Sequence, residues 1–134
     1  MTTYSDNPDA VRRGTILFGE EFTRKVLDEL ADWDPEFSRA FQDFVYDSMY
    51  DREVLDQRTR ELLAVSACVC LNALPQLKAH AFAAVRVGAR VREIQEVVMQ
   101  MSVYAGMPYM LQAVRHVNLF IDELRELEHQ PRSV

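Results

Sequence analysis

His80 sits among apolar residues at helical spacing. Leu77 at i−3, Ala84 at i+4 and Val87 at i+7 share its face of a helix predicted from Pro75 to Val87. An imidazole there changes charge near neutral pH and suits a general acid or base. The plainer reading is a buried histidine bonded to a backbone carbonyl. Upstream, Arg58-Thr59-Arg60-Glu61 opens another helix. Glu61 in a first turn would be favoured by the positive end of the helix dipole, whereas Arg58 and Arg60 would oppose it. A carboxylate-binding role for Arg60 or Arg58 is therefore weighed against a surface salt bridge. Ser48 follows Phe37, Phe41, Phe44 and Val45 on what reads as a core-facing stripe. Its hydroxyl either lines a pocket or bonds back to the Phe44 carbonyl.

Other chemistries find no support in the spacing. Cys68 and Cys70 are separated by one residue, so their side chains diverge on a helix and lack the spacing of a redox or zinc pair. They read as small buried hydrophobes. His80, His116 and His129 have no clustered carboxylates at metal-ligand spacing, so no metal is expected, and His116 beside Tyr109 and Phe120 reads as structural. No glycine-rich loop could cradle a phosphate.

The elements that must position these residues are helices. Asp34-Pro35 reads as an N-cap and first helical residue. Gly14 and Gly19 interrupt the N-terminal segment, Gly88 closes the helix of His80, and Gly106-Met107-Pro108 separates the last two segments. Apolar residues recur at helical spacing between these marks. Phe22, Val26 and Leu30 form one stripe with Leu27 beside it, and Phe37, Phe41, Phe44, Val45 and Met49 form the next. Ile94, Val97, Val98, Met101 and Ala105 make a third, and Met110, Val114, Val117, Ile121 and Leu124 a fourth. Sustained alternation is missing, so no strand is expected. The expectation is one all-α domain over 1–134, a bundle of roughly six or seven helices with frayed ends at 1–8 and 129–134. Residues 62–71 are apolar nearly all the way round, which predicts burial on every side, in part beneath a second subunit.

Composition narrows the partners. A formal net charge of −6 and no Lys/Arg block disfavour nucleic acid. No 18-residue stretch is free of polar residues, so no membrane span is expected. The start Thr2-Thr3-Tyr4-Ser5-Asp6 lacks the features of a signal peptide, and the cysteine usage suits a reducing compartment, giving a cytoplasmic expectation.

Three blocks carry a family likeness. Leu55-Asp56-Gln57-Arg58-Thr59-Arg60-Glu61-Leu62, Pro75-Gln76-Leu77-Lys78-Ala79-His80 and Tyr104-Ala105-Gly106-Met107-Pro108 resemble the carboxymuconolactone decarboxylase family. Gly88 and Glu93-Ile94-Gln95-Glu96-Val97 fit the same pattern, and the likeness covers about 10–125. It implies the alkylhydroperoxidase D-like all-α fold, assembled as a homotrimer or homohexamer with sites near subunit contacts. The alkylhydroperoxidase branch of the wider superfamily resembles Glu, eleven residues, then Cys-x-x-Cys-x-x-x-His. Here Glu61 and His80 match, while Ala73 and Gln76 stand where the cysteines would be. Without that thiol pair the peroxidase reading is disfavoured.

The decarboxylase branch fits better, with two departures. Asp47-Ser48 stands where its members tend to carry Gly-Glu, and Phe82 stands where they tend to carry arginine. Both changes alter the charge of a pocket for a dianionic lactone. The resemblance implies a cofactor-free lyase acting on a small carboxylated lactone or related acid. A carboxylate leaves as CO2, electrons delocalise into the lactone carbonyl, and His80 protonates the dienolate. His80 and Glu61 are the implied catalytic pair, with Arg60, Ser48, Phe82 and Tyr104 implied at the substrate. An isomerase, dehydratase or cyclase working through an enolate is an alternative on the same residues. Non-catalytic ligand binding by a helical oligomer is another.

Overall fold

A computed structural model of the chain describes residues 4–131; its regular elements are all helical, with no strand among the described residues. It resolves into two compact units, Met1–Val54 and Leu55–Val134.

The first unit holds α1 (Pro8–Phe18), α2 (Glu20–Trp33), α3 (Pro35–Phe41) and a π-helical segment, Gln42–Met49. Its N-terminal approach is anchored rather than frayed from residue 6 onward. The Asn7 backbone N–H donates to Gln42 Oε1 at 2.7 Å, and Asn7 Nδ2 donates to Asp43 and Asp47 at 2.7 and 3.0 Å. Asn7 also caps α1 by accepting from the Asp9 and Ala10 N–H groups. The Asn7 amide, and then Arg39, hold the Asp43 carboxyl below its usual range. Residues 1–3 and 132–134, the outer parts of the ends expected to fray, lie outside the described residues.

Gly14 does not interrupt a helix; it lies inside α1 because there is no room for a side chain. A Cβ there would meet Thr23 Cγ2 at 2.8 Å and Tyr46 Cε2 at 2.9 Å. The break falls at Gly19, whose φ of 84° is readily adopted only by glycine. Asp34 caps α3 as expected, accepting from Glu36 and Phe37 N–H.

The two apolar stripes expected in this unit are corrected. On α2 the buried residues are Thr23 and Leu27, while Phe22 is exposed. From α3 into the π segment, Ser38, Gln42 and Tyr46 face inward, and Phe37 and Phe44 are 59% and 63% exposed. The reason is the π segment, closed by a Tyr50 N–H to Val45 carbonyl bond spanning five residues. A wider turn moves the inward register to every fourth residue, so a 3.6-residue projection drifts off the core. Ser48, projected inward by that period, is exposed instead.

The second unit contains α4 (Gln57–Cys70), α5 (Leu74–Arg86), α6 (Val91–Ala105), α7 (Met107–Asn118) and α8 (Ile121–Glu128). The described residues thus form eight α-helices and one π segment, more than the six or seven expected. The extra break cuts the fourth stripe at Leu119-Phe120, although Met110, Val114, Val117, Ile121 and Leu124 all still meet the core. Their common side survives because Phe120 turns inward at the junction and is itself buried. Val65 and Val69 of α4, Leu77, Ala81 and Ala84 of α5, and Ile94 and Val98 of α6 form the centre of this unit.

Within a single chain, the helix expected to be buried on every side, in part beneath a second subunit, is buried on one. Val65, Cys68 and Val69 face the core, while Leu63 and Leu71 are 54% and 75% exposed and Cys70 is open as well. None of the described helices is long and apolar enough to cross a membrane.

Candidate active site

Two helices of the second unit bring one ionisable pair together. Asp56 starts α4 by accepting the Thr59 N–H at 2.7 Å, which puts Glu61 in the second turn rather than the first. The favourable dipole position expected for Glu61 is therefore not its reason for being there. Glu61, Val65 and Cys68 fall at i, i+4 and i+7, so the carboxylate continues the buried stripe of α4. Its exposure is 0%. Opposite, Leu77 seats α5 in the core and His80 follows three residues later, on the same side.

His80 Nδ1 and Glu61 Oε2 are 2.6 Å apart. The histidine side chain keeps 22% of its exposure, whereas the carboxylate keeps none. A fully buried carboxylate is costly unless paired, so the imidazole is its counterpart within the fold. The other oxygen, Oε1, accepts no hydrogen bond from the described residues. With Nδ1–H donated to Oε2, the ring tautomer is fixed, and proton exchange with a substrate falls to Nε2.

The remaining implied residues are placed differently. Arg60 is partly buried on α4, but adjacent residues on a helix diverge by about 100°, so it occupies a different sector from Glu61. Phe82 is two residues from His80, about 200° round α5. It packs on Phe120 with ring centroids 5.6 Å apart, and Arg86 lies over its other side. The structure therefore does not bring Phe82 to His80. Tyr104, near the end of α6, is 72% exposed and stands clear of the core. Ser48 belongs to the first unit, on the exposed side of its π segment. Arg58 forms a salt bridge with Glu93, whose other oxygen accepts the Arg90 N–H at 2.9 Å and caps α6. That partner offsets the unfavourable dipole position of Arg58. His116 packs edge-on against Phe120 with centroids 5.4 Å apart, and its Nε2 is buried without a hydrogen-bond partner.

The relation of Cys68 to this pair is the feature the sequence reading missed. Burial first, and the Glu61 carboxylate second, push the Cys68 thiol up, which suppresses the thiolate a redox centre requires. The spacing of Glu61, Val65 and Cys68 contained that signal, but it was hidden within a run read as uniformly apolar. Both cysteines are free. Replacing Cys68 and Cys70 together with alanine is expected to lower stability and leave the specific activity of the folded protein within about twofold, because burial holds Cys68 as the thiol and Cys70 makes no contact with the His80–Glu61 pair. A complete loss of activity in a well-folded double variant would restore a thiol mechanism. Among the described residues no group of three or more His, Cys, Asp or Glu is arranged to hold a metal ion.

Residues 35–118 match the carboxymuconolactone decarboxylase family, a span that includes Glu61, His80 and Tyr104. Among curated proteins, the chain is 27% identical over 94 residues to a 4-carboxymuconolactone decarboxylase of Acinetobacter baylyi, covering 70% of each chain. It is 33% identical over 97 residues to an uncharacterized 15.0 kDa protein in the nqo9-nqo10 intergenic region of Paracoccus denitrificans, covering 71% of this chain and 70% of that one. With a family match over most of its length and the helical fold expected of that family, this chain belongs to the carboxymuconolactone decarboxylase family.

Proposed function

We propose that this protein is a cofactor-free lyase that decarboxylates a small, carboxylated, unsaturated lactone or a closely related acid. The observation that carries the reading is the contact between His80 Nδ1 and the buried Glu61 carboxylate. In the proposed reaction the bond between the ring carbon and its carboxylate breaks and CO2 departs. The electron pair delocalises through the double bond into the lactone carbonyl. His80 Nε2 delivers its proton to the resulting dienolate and regains one from water. Glu61 holds the ring by Nδ1 and stabilises the imidazolium before transfer. The Acinetobacter relative supports this class of reaction by its description alone. Phe82 supplies no argument about substrate charge, because it packs away from His80.

The test is CO2 release from 4-carboxymuconolactone and less highly charged analogues, without added metal or thiol. We expect CO2 release that depends on His80, within the roughly 10⁴–10⁸ M⁻¹s⁻¹ typical of enzymes on the best of these substrates. Thiol-dependent consumption of peroxide, with no CO2 from any carboxylated lactone, would overturn the reading.

We further propose that the chain functions as a homotrimer or homohexamer. Leu63 on α4 and Leu71 just beyond it, with Val103 and Tyr104 on α6, leave apolar side chains open in a single chain. Exposed apolar area of this kind marks contact surfaces. Light scattering after size exclusion is expected to give three or six times the 15.5 kDa chain mass. A monodisperse monomer at micromolar concentration would end the proposal.

A further inference from the structure

A hollow lies in the same unit as the His80–Glu61 pair and shares no residue with it. It is bounded by α6, α7 and α8, is partly open to solvent, and has a volume of about 150 Å³. Val98 and Val117, both buried, form its floor, and Val114 and Ile121 line it from the facing helices. These positions follow from helical spacing: Arg92, Gln95, Val98 and Met99 lie along one side of α6. Three of its lining residues are polar. Arg92 is exposed there, accompanied by Gln95 and Asn118.

Arg92 is available as well as nearby. The neighbouring carboxylate, Glu93, is already taken by Arg58 and Arg90. Arg92 makes no ion pair among the described residues. An apolar cavity of about 150 Å³ is large enough to bind benzene. An unpaired guanidinium beside such a cavity selects a single anionic group, which it can bind in bidentate fashion. The amides of Gln95 and Asn118 add donors to the same lining.

We propose that this hollow binds a monoanionic carboxylic acid with an apolar body of about six to eight carbon atoms, carboxylate at Arg92 and body between α6 and α7. The site is separate from the proposed catalytic pair, so occupancy does not require His80. Size and charge both act: a dianion would leave one carboxylate against the valines, and a cation would meet Arg92.

Titration of the full-length protein with benzoate, followed by methyl NMR and calorimetry, tests the proposal. Saturable binding should shift the methyl signals of Val98, Val114, Val117 and Ile121, and should persist in His80→Gln. Arg92→Gln should weaken benzoate at least tenfold while changing benzyl alcohol little. Val114→Phe should fill the hollow and abolish binding of both. Absence of saturation, or benzoate affinity unchanged in both Arg92→Gln and Val114→Phe, would overturn the proposal. So would a fall in assembly mass in Arg92→Gln without benzoate binding to the parent protein, because the hollow would then be a contact between copies.

Discussion

His80→Gln is expected to fold like the parent protein and to lose about 10²–10⁴-fold in kcat, the usual worth of a positioned proton donor. Glutamine occupies a similar volume, and its amide can donate to Glu61 Oε2 in place of Nδ1–H, so the buried carboxylate keeps a partner. An amide does not exchange a proton near neutral pH. The loss should therefore appear in kcat, with KM changed by no more than a few-fold, because the substrate is still held. Steady-state assays on whichever carboxylated lactone releases CO2 fastest, with circular dichroism to confirm folding, make the measurement. Turnover equal to that of the parent would sink the acid–base mechanism. A large rise in KM with kcat preserved would instead make His80 a binding residue.

How far the sequence could be read depended on whether helices kept their ordinary period. In the second unit they do. Val65, Leu77, Ile94, Val98, Val117 and Leu124 are all buried at positions a 3.6-residue period selects. The same period places His80 beside Leu77, so half of the candidate pair is legible. Its partner Glu61 is named by the family likeness and lies in register with Val65 and Cys68, but the sequence does not show that the carboxylate is fully buried or which helix faces it. That fact depends on the packing of α4 against α5, a long-range property. In the first unit the π segment defeats the projection, exposing Ser48 and Phe44 and burying Gln42. A buried glutamine carries no apolar signal, and Gln42 is held by hydrogen bonds to Asn7, Asp6 and Ser38.

Two further residues show the difference between matching a motif and sharing a site. Tyr104 and Phe82 were placed at the substrate by family likeness, a relation of order along the chain. In a helix, two residues of separation reverse direction, and Phe82 joins Phe120 in the fold instead. Tyr104 is exposed, as are Leu63 and Val103, residues through which we propose contact with another copy. A role for Tyr104 at a substrate would thus be decided in the assembly, not within one chain.

The pair itself should register in stability with a pattern that simple packing would not give. His80→Leu removes the partner of a carboxylate with no exposure, leaving Glu61 either charged and unpaired or protonated at a cost. Breaking buried pairs this way typically costs about 3–5 kcal/mol, and about 3 is expected here because His80 keeps some contact with solvent. Glu61→Leu should cost less, about 1 kcal/mol, since the remaining imidazole can stay neutral and partly hydrated. The double variant Glu61→Leu/His80→Leu replaces both groups with apolar ones of similar size. It should be roughly as stable as the parent, or more so, and inactive. Urea unfolding at one fixed protein concentration, so that the proposed assembly would contribute equally to every variant, supplies the double-mutant cycle. Strong coupling with recovery in the double variant would mean that the pair is a cost to the fold, consistent with its retention for chemistry. Additive losses would show that Glu61 and His80 contribute separately to packing, and the case for them as a catalytic unit would fail.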